Sequence, residues 1–454
     1  MEIQEPQTKR YESIIVKFAD ETTLHGIRYV TNSRLHKARR LLWFILLISM
    51  AIWLVFGIMS GIRKYFTYPV STVVEFNYVK TIDFPAVTFC NYNQFRRSKL
   101  ETYDPVFQQI LLALVVKQGV DIDWDYHDSL YNDNHWNMTE VAVTSGHQLE
   151  DMLLSCTWNR GEACGPQNFT TTITDFGICF TFNGDRDSGR RLTVSQAGAS
   201  QGLRLRLSAE QDEYYWGYYT AAGFKLFVHP QGEFPLVDQL GVSFSPGFET
   251  SFRISDVISK SLPTPYKSNC SDAKLQYSLN YSTEACWFEC EAKIVTEFCG
   301  CRYYKYPDKI IFPLLGPVPL CSPRQIVQCV LPAQDSFSVL NIQCDCPVSC
   351  MHESYDIKIS LALWPSDFET EEVSKYYNHT KEFIRSNYLE VNIFFDILGY
   401  QQILQVPSYD FLALQSDIGA YMGLLGGASV ITIFEFLDCL LATISRRRRP
   451  VDLN

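Results

Sequence analysis

The chain has 454 residues, a formal net charge of −11, 20% charged residues and 14% aromatics. That length allows several layers or subdomains. The acidic balance excludes a nucleic-acid partner, because no extended basic patch lies outside the flanks of the two most apolar runs.

Residues 1–40 are polar and carry no signal-peptide pattern, which assigns them to the cytosol. Within them His25-Gly26 reads from composition as a turn. Leu41 to Met59 is an uncharged run long enough for a first transmembrane helix. Lys37, Arg39 and Arg40 precede it, and Arg446, Arg447, Arg448 and Arg449 follow the second apolar run. The positive-inside rule then places both termini in the cytosol and everything between the runs outside. The expected organisation is a cytosolic segment (1–40), a first span (41–60), an ectodomain (61–409), a pre-pore segment with a second span (410–445) and a basic tail (446–454).

Inside the ectodomain, Thr72–Tyr78, Phe84–Phe89, Leu203–Leu207, Gly223–His229, Tyr355–Leu363 and Leu389–Leu398 read as strands. Asp104-Pro105 opens a helix through Lys117 as cap and first residue, with Gly119 as its stop. Asp367–Tyr377 and Thr380–Ser386 also read as helical. The fold class expected is therefore two transmembrane helices plus a large disulfide-rich α+β extracellular domain.

Fifteen cysteines bear this out: fourteen fall from Cys90 to Cys350, and Cys439 sits alone in the second apolar run as a small apolar filler. An even number in one segment points to an oxidising compartment. The sequons Asn137, Asn168, Asn269, Asn280 and Asn378 all lie between the two runs, as glycosylation acceptors require. Cys286 and Cys290 stand one helical turn apart, about 6 Å, and Cys344 and Cys346 match that distance along an extended strand. Antiparallel pairing would bridge Cys286–Cys346 and Cys290–Cys344 as rungs, with Cys270 and Cys350 as an outer rung. Zinc ligation is the rival for such spacing; a glycosylated ectodomain favours disulfides, and no metal is expected.

The second apolar run, Asp417 to Ser445, carries Gly419, Gly423, Gly426 and Gly427, with Glu435 and Asp438 near its far end. A plain anchor gains nothing from two intramembrane carboxylates, which cost roughly 2.5–3.5 kcal/mol each at a helix centre. Non-helical backbone at Gly427-Ala428-Ser429 is tolerated only where it lines water. The run reads as a pore-lining helix.

These residues together resemble the epithelial sodium channel/degenerin superfamily, and within it the acid-sensing, bile-acid-sensitive and cnidarian peptide-gated branch. The resemblance is carried by His25-Gly26, the stretch Phe84 to Asn91, Asp417-Ile418-Gly419, Met422-Gly423-Leu424 and Gly427-Ala428-Ser429 in that order, and it covers nearly the whole chain. It implies a homo- or heterotrimer in the plasma membrane conducting Na+ without a cofactor. It implies a selectivity filter at Gly427, Ala428 and Ser429, and a pore mouth at Asp417 with Ser416 at the degenerin position. Gly423, Glu435 and Asp438 would line the path, and His25-Gly26 would line its cytosolic end as a re-entrant loop. Tyr68 and Tyr266 would form an aromatic gating wrist. The disulfides implied are Cys90–Cys179, Cys156–Cys164, Cys270–Cys350, Cys286–Cys346, Cys290–Cys344, Cys299–Cys329 and Cys301–Cys321. Rings of carboxylates and backbone carbonyls are the usual devices of cation selectivity.

The chain departs from the proton-gated pattern. Only Glu233 and Asp335 keep carboxylates in the acidic pocket, where Gly232, Leu331 and Asn392 replace acids. Phe76 and Gln401 replace another acidic pair, Pro69 and Val70 a histidine pair, and Leu398-Gly399 a Leu-Asn linker. The expectation is gating by an extracellular peptide or amphiphile, or tonic opening, with pH as a modulator. Proton gating is the alternative, and a two-pass receptor or adhesion protein is the rival from another class. No Gly-x-Ser-x-Gly, His-Glu-x-x-His or phosphate loop calls for an enzyme.

Overall fold

A computed structural model describes residues 18–116, 120–132, 135–184, 192–215, 217, 219–278, 281–307, 318–339 and 344–447. The backbone forms two compact units. One gathers Met1–Ser71, Pro265–Lys267 and Gln405–Asn454; the other gathers Thr72–Thr264 and Ser268–Leu404.

In the first unit, α1 (Ile27–Thr31) precedes α2 (Lys37–Phe66). The His36 imidazole caps α2 by accepting from the Ala38 amide at 3.3 Å. Thirty residues at 1.5 Å each give about 45 Å, more than the roughly 30 Å hydrocarbon core. Helix α2 extends past the expected span at both ends because its basic flanks continue the same spiral. Leu41, Ile45, Ile52 and Phe56 are exposed along it, so this part of its apolar surface has no protein cover.

The second unit contains most of β1 (Val70–Tyr78), then β2 (Ala86–Asn91), α3 (Pro105–Val116), β3 (Leu153–Trp158), β4 (Glu162–Ala163), β5 (Phe169–Ile173), β6 (Ile178–Phe182), β7 (Leu203–Ser208), β8 (Phe224–His229), β9 (Val242–Phe244) and β10 (Phe248–Lys260). Then follow α4 (Thr283–Cys299), β11 (Met351–Leu363), α5 (Asp367–Tyr377), α6 (Lys381–Asn387) and β12 (Tyr388–Pro407). Asp104 caps α3 as expected, accepting from the Val106 and Phe107 amides at 3.0 Å. Lys117 and Gly119 lie outside the described residues.

One sheet runs β11-β10-β12-β7-β3-β4, with β1 also paired to β12; a second runs β9-β8-β2-β6-β5. Alternation builds the core between them. Leu203, Leu205 and Leu207 of β7 are buried with Phe89, Phe224, Phe252 and Ile393. The intervening Arg204 and Arg206 point the other way, donating to Asn392 at 2.6 Å and Glu390 at 2.7 Å. The long parallel pairing of β10 with β12 breaks between Ile254 and Asp256, which face Phe395 and Tyr400. Residues 396–399 bulge out there, and a Cβ on Gly399 would stand 2.5 Å from the Asn77 carbonyl oxygen, so the bulge depends on glycine.

Seven disulfides tie the ectodomain, with the pairs that the resemblance implies. Cys90 and Cys179 are directly opposed residues of β2 and β6. Cys286 and Cys290 lie on one face of α4, which Ser282 caps at 3.1 Å and Gly300 closes in a left-handed turn. The stretch that carries Cys344 and Cys346 is irregular rather than a strand, and β11 begins only at Met351. Pro347 has no amide to give a ladder, which explains the difference. The sequon asparagines Asn137, Asn168, Asn269 and Asn378 are exposed; Asn280 lies outside the described residues.

Candidate functional site: a broken second helix and an acid-lined ectodomain cavity

The second apolar run is not one helix. It begins with α7 (Phe411–Tyr421), capped by Asp410, which accepts from the Ala413 amide at 2.7 Å. Wider turns follow through Gly426, with Gly427 N–H donating to Gly423 at 3.0 Å and Ala428 N–H to Met422 at 3.1 Å. Gly427, Ala428 and Ser429 leave helical geometry, and α8 (Val430–Arg447) restarts at 70° to the first half. Thr432 stabilises the restart: its hydroxyl accepts from the Ser429 amide, and its amide donates to the Ser429 carbonyl, both at 3.0 Å. Together the two halves have the length and composition of a broken span or a re-entrant loop.

His25-Gly26 lies against that break. The His25 amide donates to the Gly426 carbonyl at 3.3 Å. Gly427 is left-handed (φ 61°), and a Cβ there would overlap the His25 ring. The preceding threonines hold α8. Thr22 Oγ1 and Thr23 N–H donate to Glu435 Oε2 at 2.9 and 3.1 Å, and Thr23 Oγ1 meets Thr432 Oγ1 at 2.7 Å. Glu435 is thus satisfied by the N-terminal segment, whereas Asp438 is exposed.

At the other end of α7, Tyr409 donates to Asp417 Oδ2 at 2.6 Å, and Lys64 Nζ stands 4.4 Å from the Tyr409 ring centroid. The Asp417 carboxylate is therefore oriented by a phenol that sequence reasoning missed. Ser416 and Gly423 are exposed on the same stretch. Tyr68, in a left-handed conformation (φ 46°), meets Tyr266 edge to face with centroids 5.6 Å apart.

The two acids kept from the acidic-pocket pattern are not neighbours in one pocket. Asp335 is exposed on the helix Leu331–Val339. Glu233 lines a cavity of about 530 Å³ with Glu353, Tyr281 and His352, a set from which Asp335 is absent. Burial pushes the Glu233 carboxyl up to about 7, against a Ser282 hydrogen bond and with help from Glu284 and Glu353. Asp256, in the strand beside Glu353, is likewise raised to about 7 by burial and then by Glu353. Neither Asp256 nor Glu353 stood out in the sequence, because only the β10–β11 pairing brings them together. Among the described residues no group of three His, Cys, Asp or Glu side chains is arranged to hold a metal ion.

The sequence profile of the amiloride-sensitive sodium channel family matches residues 18–439. The chain is 34% identical to acid-sensing ion channel 1C of Danio rerio, over 95% of its own length and 86% of that protein's. It is 33% identical to acid-sensing ion channel 1 of Gallus gallus, covering 95% and 84%. Against acid-sensing ion channel 2 of Homo sapiens the identity is 32%, covering 96% and 87%.

Proposed function

Because the chain belongs to the amiloride-sensitive sodium channel family, we propose that it is one subunit of a trimeric, amiloride-blocked sodium channel of the plasma membrane, opened by an extracellular peptide or amphiphile or standing open at rest. It is an ion-transport protein of that family and not an enzyme. The observation that carries the pore assignment is the 70° break at Gly427-Ala428-Ser429, backed by His25-Gly26. Three copies of this break around one axis form a ring of carbonyl oxygens that replaces part of an ion's hydration shell. Irregular backbone is stable at membrane depth only where it faces protein or water, as such a ring does.

Trimer assembly is supported by the apolar surface left open. Val73, Val74, Phe76 and Tyr78 of β1 and Ile359, Leu361 and Leu363 of β11 are exposed in the isolated chain. Patches of that kind mark contact sites. Gating by a ligand is supported by the lost acidic pocket, since Glu233 and Asp335 do not share a cavity. A second reading, proton gating, is favoured by the names of the relatives and by two buried acids, Glu233 and Asp256, that titrate near neutrality.

Voltage-clamp recording from cells expressing this chain alone tests the proposal, with amiloride applied first and an acid step second. A standing sodium current blocked by amiloride is the result expected of an open homomeric channel. Silence until an acid step selects the second reading. Silence under both, with protein at the surface, calls for a peptide and amphiphile screen. Failure of that screen, even with related subunits co-expressed, overturns the channel assignment.

A further inference from the structure

We propose that the ectodomain cavity between Pro230–Glu233, Asp272–Ser278, Tyr281 and the start of β11 binds an organic cation, with an amine or guanidinium head held by Glu233 and Glu353 and a small apolar body. This deepens the reading of an externally liganded channel and rests on it. The cavity measures about 530 Å³, within the roughly 300–1,000 Å³ range of ligand sites. Pro230, Leu275, Tyr281 and Met351 form its apolar wall, and the two glutamates supply the polar groups that would fix orientation.

The charge balance selects the class of ligand. Glu233, Glu353 and Asp272 line the cavity against Lys274 and His352. Asp272 is already engaged, accepting from the Cys350 amide at 3.2 Å. Glu353 accepts a phenol hydrogen bond from Tyr355 at 2.8 Å. Behind it, on the same face of the β10–β11 pair, Asp256 is more than nine-tenths buried, and its Oδ1 has no hydrogen-bond partner. Among the described residues no lysine or arginine forms an ion pair with Glu233, Glu353 or Asp256. Burial leaves the carboxyls of Glu233 and Asp256 raised to about 7, the state of acids that lack a counter-charge. Buried carboxylates without a direct ion pair stand to gain from a cation brought by a ligand. A divalent metal does not fit, because among the described residues no three ligating side chains converge. An ammonium or guanidinium ion does, through charge-assisted hydrogen bonds to both glutamates.

The test uses the full chain purified in lipid nanodiscs, with Nα-acetyl-L-arginine amide (arginine amide below) as probe and its neutral isostere Nα-acetyl-L-citrulline amide (citrulline amide below) as control, read by calorimetry. The expected result is saturable binding of arginine amide with Kd on the order of 1 mM or tighter. Citrulline amide should bind at least tenfold more weakly, and Glu233→Gln and Glu353→Gln should each lose about tenfold. Leu275→Trp, which fills the apolar wall and leaves both carboxylates, should abolish binding. No saturable binding to the native chain, equal binding of citrulline amide, or binding that survives the double glutamine variant overturns the site. Current recorded on the same variants separates the two ideas. Binding without any change in current keeps the site and removes its gating role, whereas a response to arginine amide that survives Glu233→Gln and Glu353→Gln keeps ligand gating and removes the site.

Discussion

Carboxylates meet opposite treatment in the two units of this chain. In the membrane-associated unit, Glu435 receives hydrogen bonds from Thr22 and Thr23, and Asp417 receives one from Tyr409. In the ectodomain, Asp256 is buried with an oxygen that has no hydrogen-bond partner among the described residues, and Glu233 has a serine hydroxyl against the cost of burial. The first arrangement fixes charge in place, as a conduction path needs. The second leaves charge expensive and easily neutralised, as a ligand or proton site needs. The contrast teaches that an acid's role follows from its donors rather than from its presence in a motif.

The largest effect expected is at the break itself. Gly427→Val adds a β-branched side chain where φ is 61° and the His25 ring occupies the space. The left-handed conformation alone costs about 1–2 kcal/mol for a residue with a Cβ, and the overlap adds to it. Whole-cell current should fall more than tenfold at unchanged surface expression, and adding His25→Ala should restore part of it. Current retained in Gly427→Val would dissolve the coupling between the two motifs. The next effect concerns the fixed carboxylate. Glu435→Ala leaves the donors of Thr22 and Thr23 unmatched, a cost of about 1–3 kcal/mol. Glu435→Gln keeps an acceptor oxygen. Single-channel recording should show the alanine variant several-fold impaired and the glutamine variant within about twofold of native. Equal impairment of both would make charge, not anchoring, the function of Glu435.

How much of this was legible follows from sequence distance. The first span, the Asp104 cap and helix α5, whose observed bounds Asp367–Tyr377 match the expected ones, are written in short-range patterns of apolar and capping residues. The Cys286–Cys346 and Cys290–Cys344 rungs were suggested by the matched spacing of the two cysteine pairs, although the strand expected at Cys344–Cys346 is irregular. Strand β10 escaped: its inward positions run Thr250, Phe252, Ile254, Asp256, and an acid in the buried row disguises the alternation. The hold of Thr22 on Glu435 joins residues 413 positions apart, which no local pattern encodes. Tyr409 lies only eight residues from Asp417, yet it sits in the turn after β12 ends at Pro407 and before α7 begins at Phe411, so neither helical nor strand spacing relates the two. The Glu233–Glu353 cavity needs the strand pairing, the disulfides and the β2–β8 sheet together before it exists.

The smallest effect is also the sharpest test of the ectodomain side of the contrast. Asp256 has its carboxyl raised from 3.8 to about 7 by burial and by Glu353. A raised acid favours the fold in its protonated form, so its contribution is complete below about pH 4. It is lost as pH rises through 7. At pH 8 the native chain therefore carries a buried, unpaired charge that Asp256→Asn removes. A shift of about three units bounds the effect at about 4 kcal/mol, and partial relaxation brings it nearer 2 kcal/mol. Thermal unfolding of the full chain should show Asp256→Asn more stable by about 2 °C at pH 8 and by less than about 0.5 °C at pH 4. The Glu233→Gln variant should follow the same pH course with a smaller gain, because its Ser282 partner already offsets part of the burial. Equal stability of Asp256→Asn and native protein at pH 8 would mean that the Asp256 charge is compensated in the assembled channel. The comparison between the units would then rest on Glu233 alone.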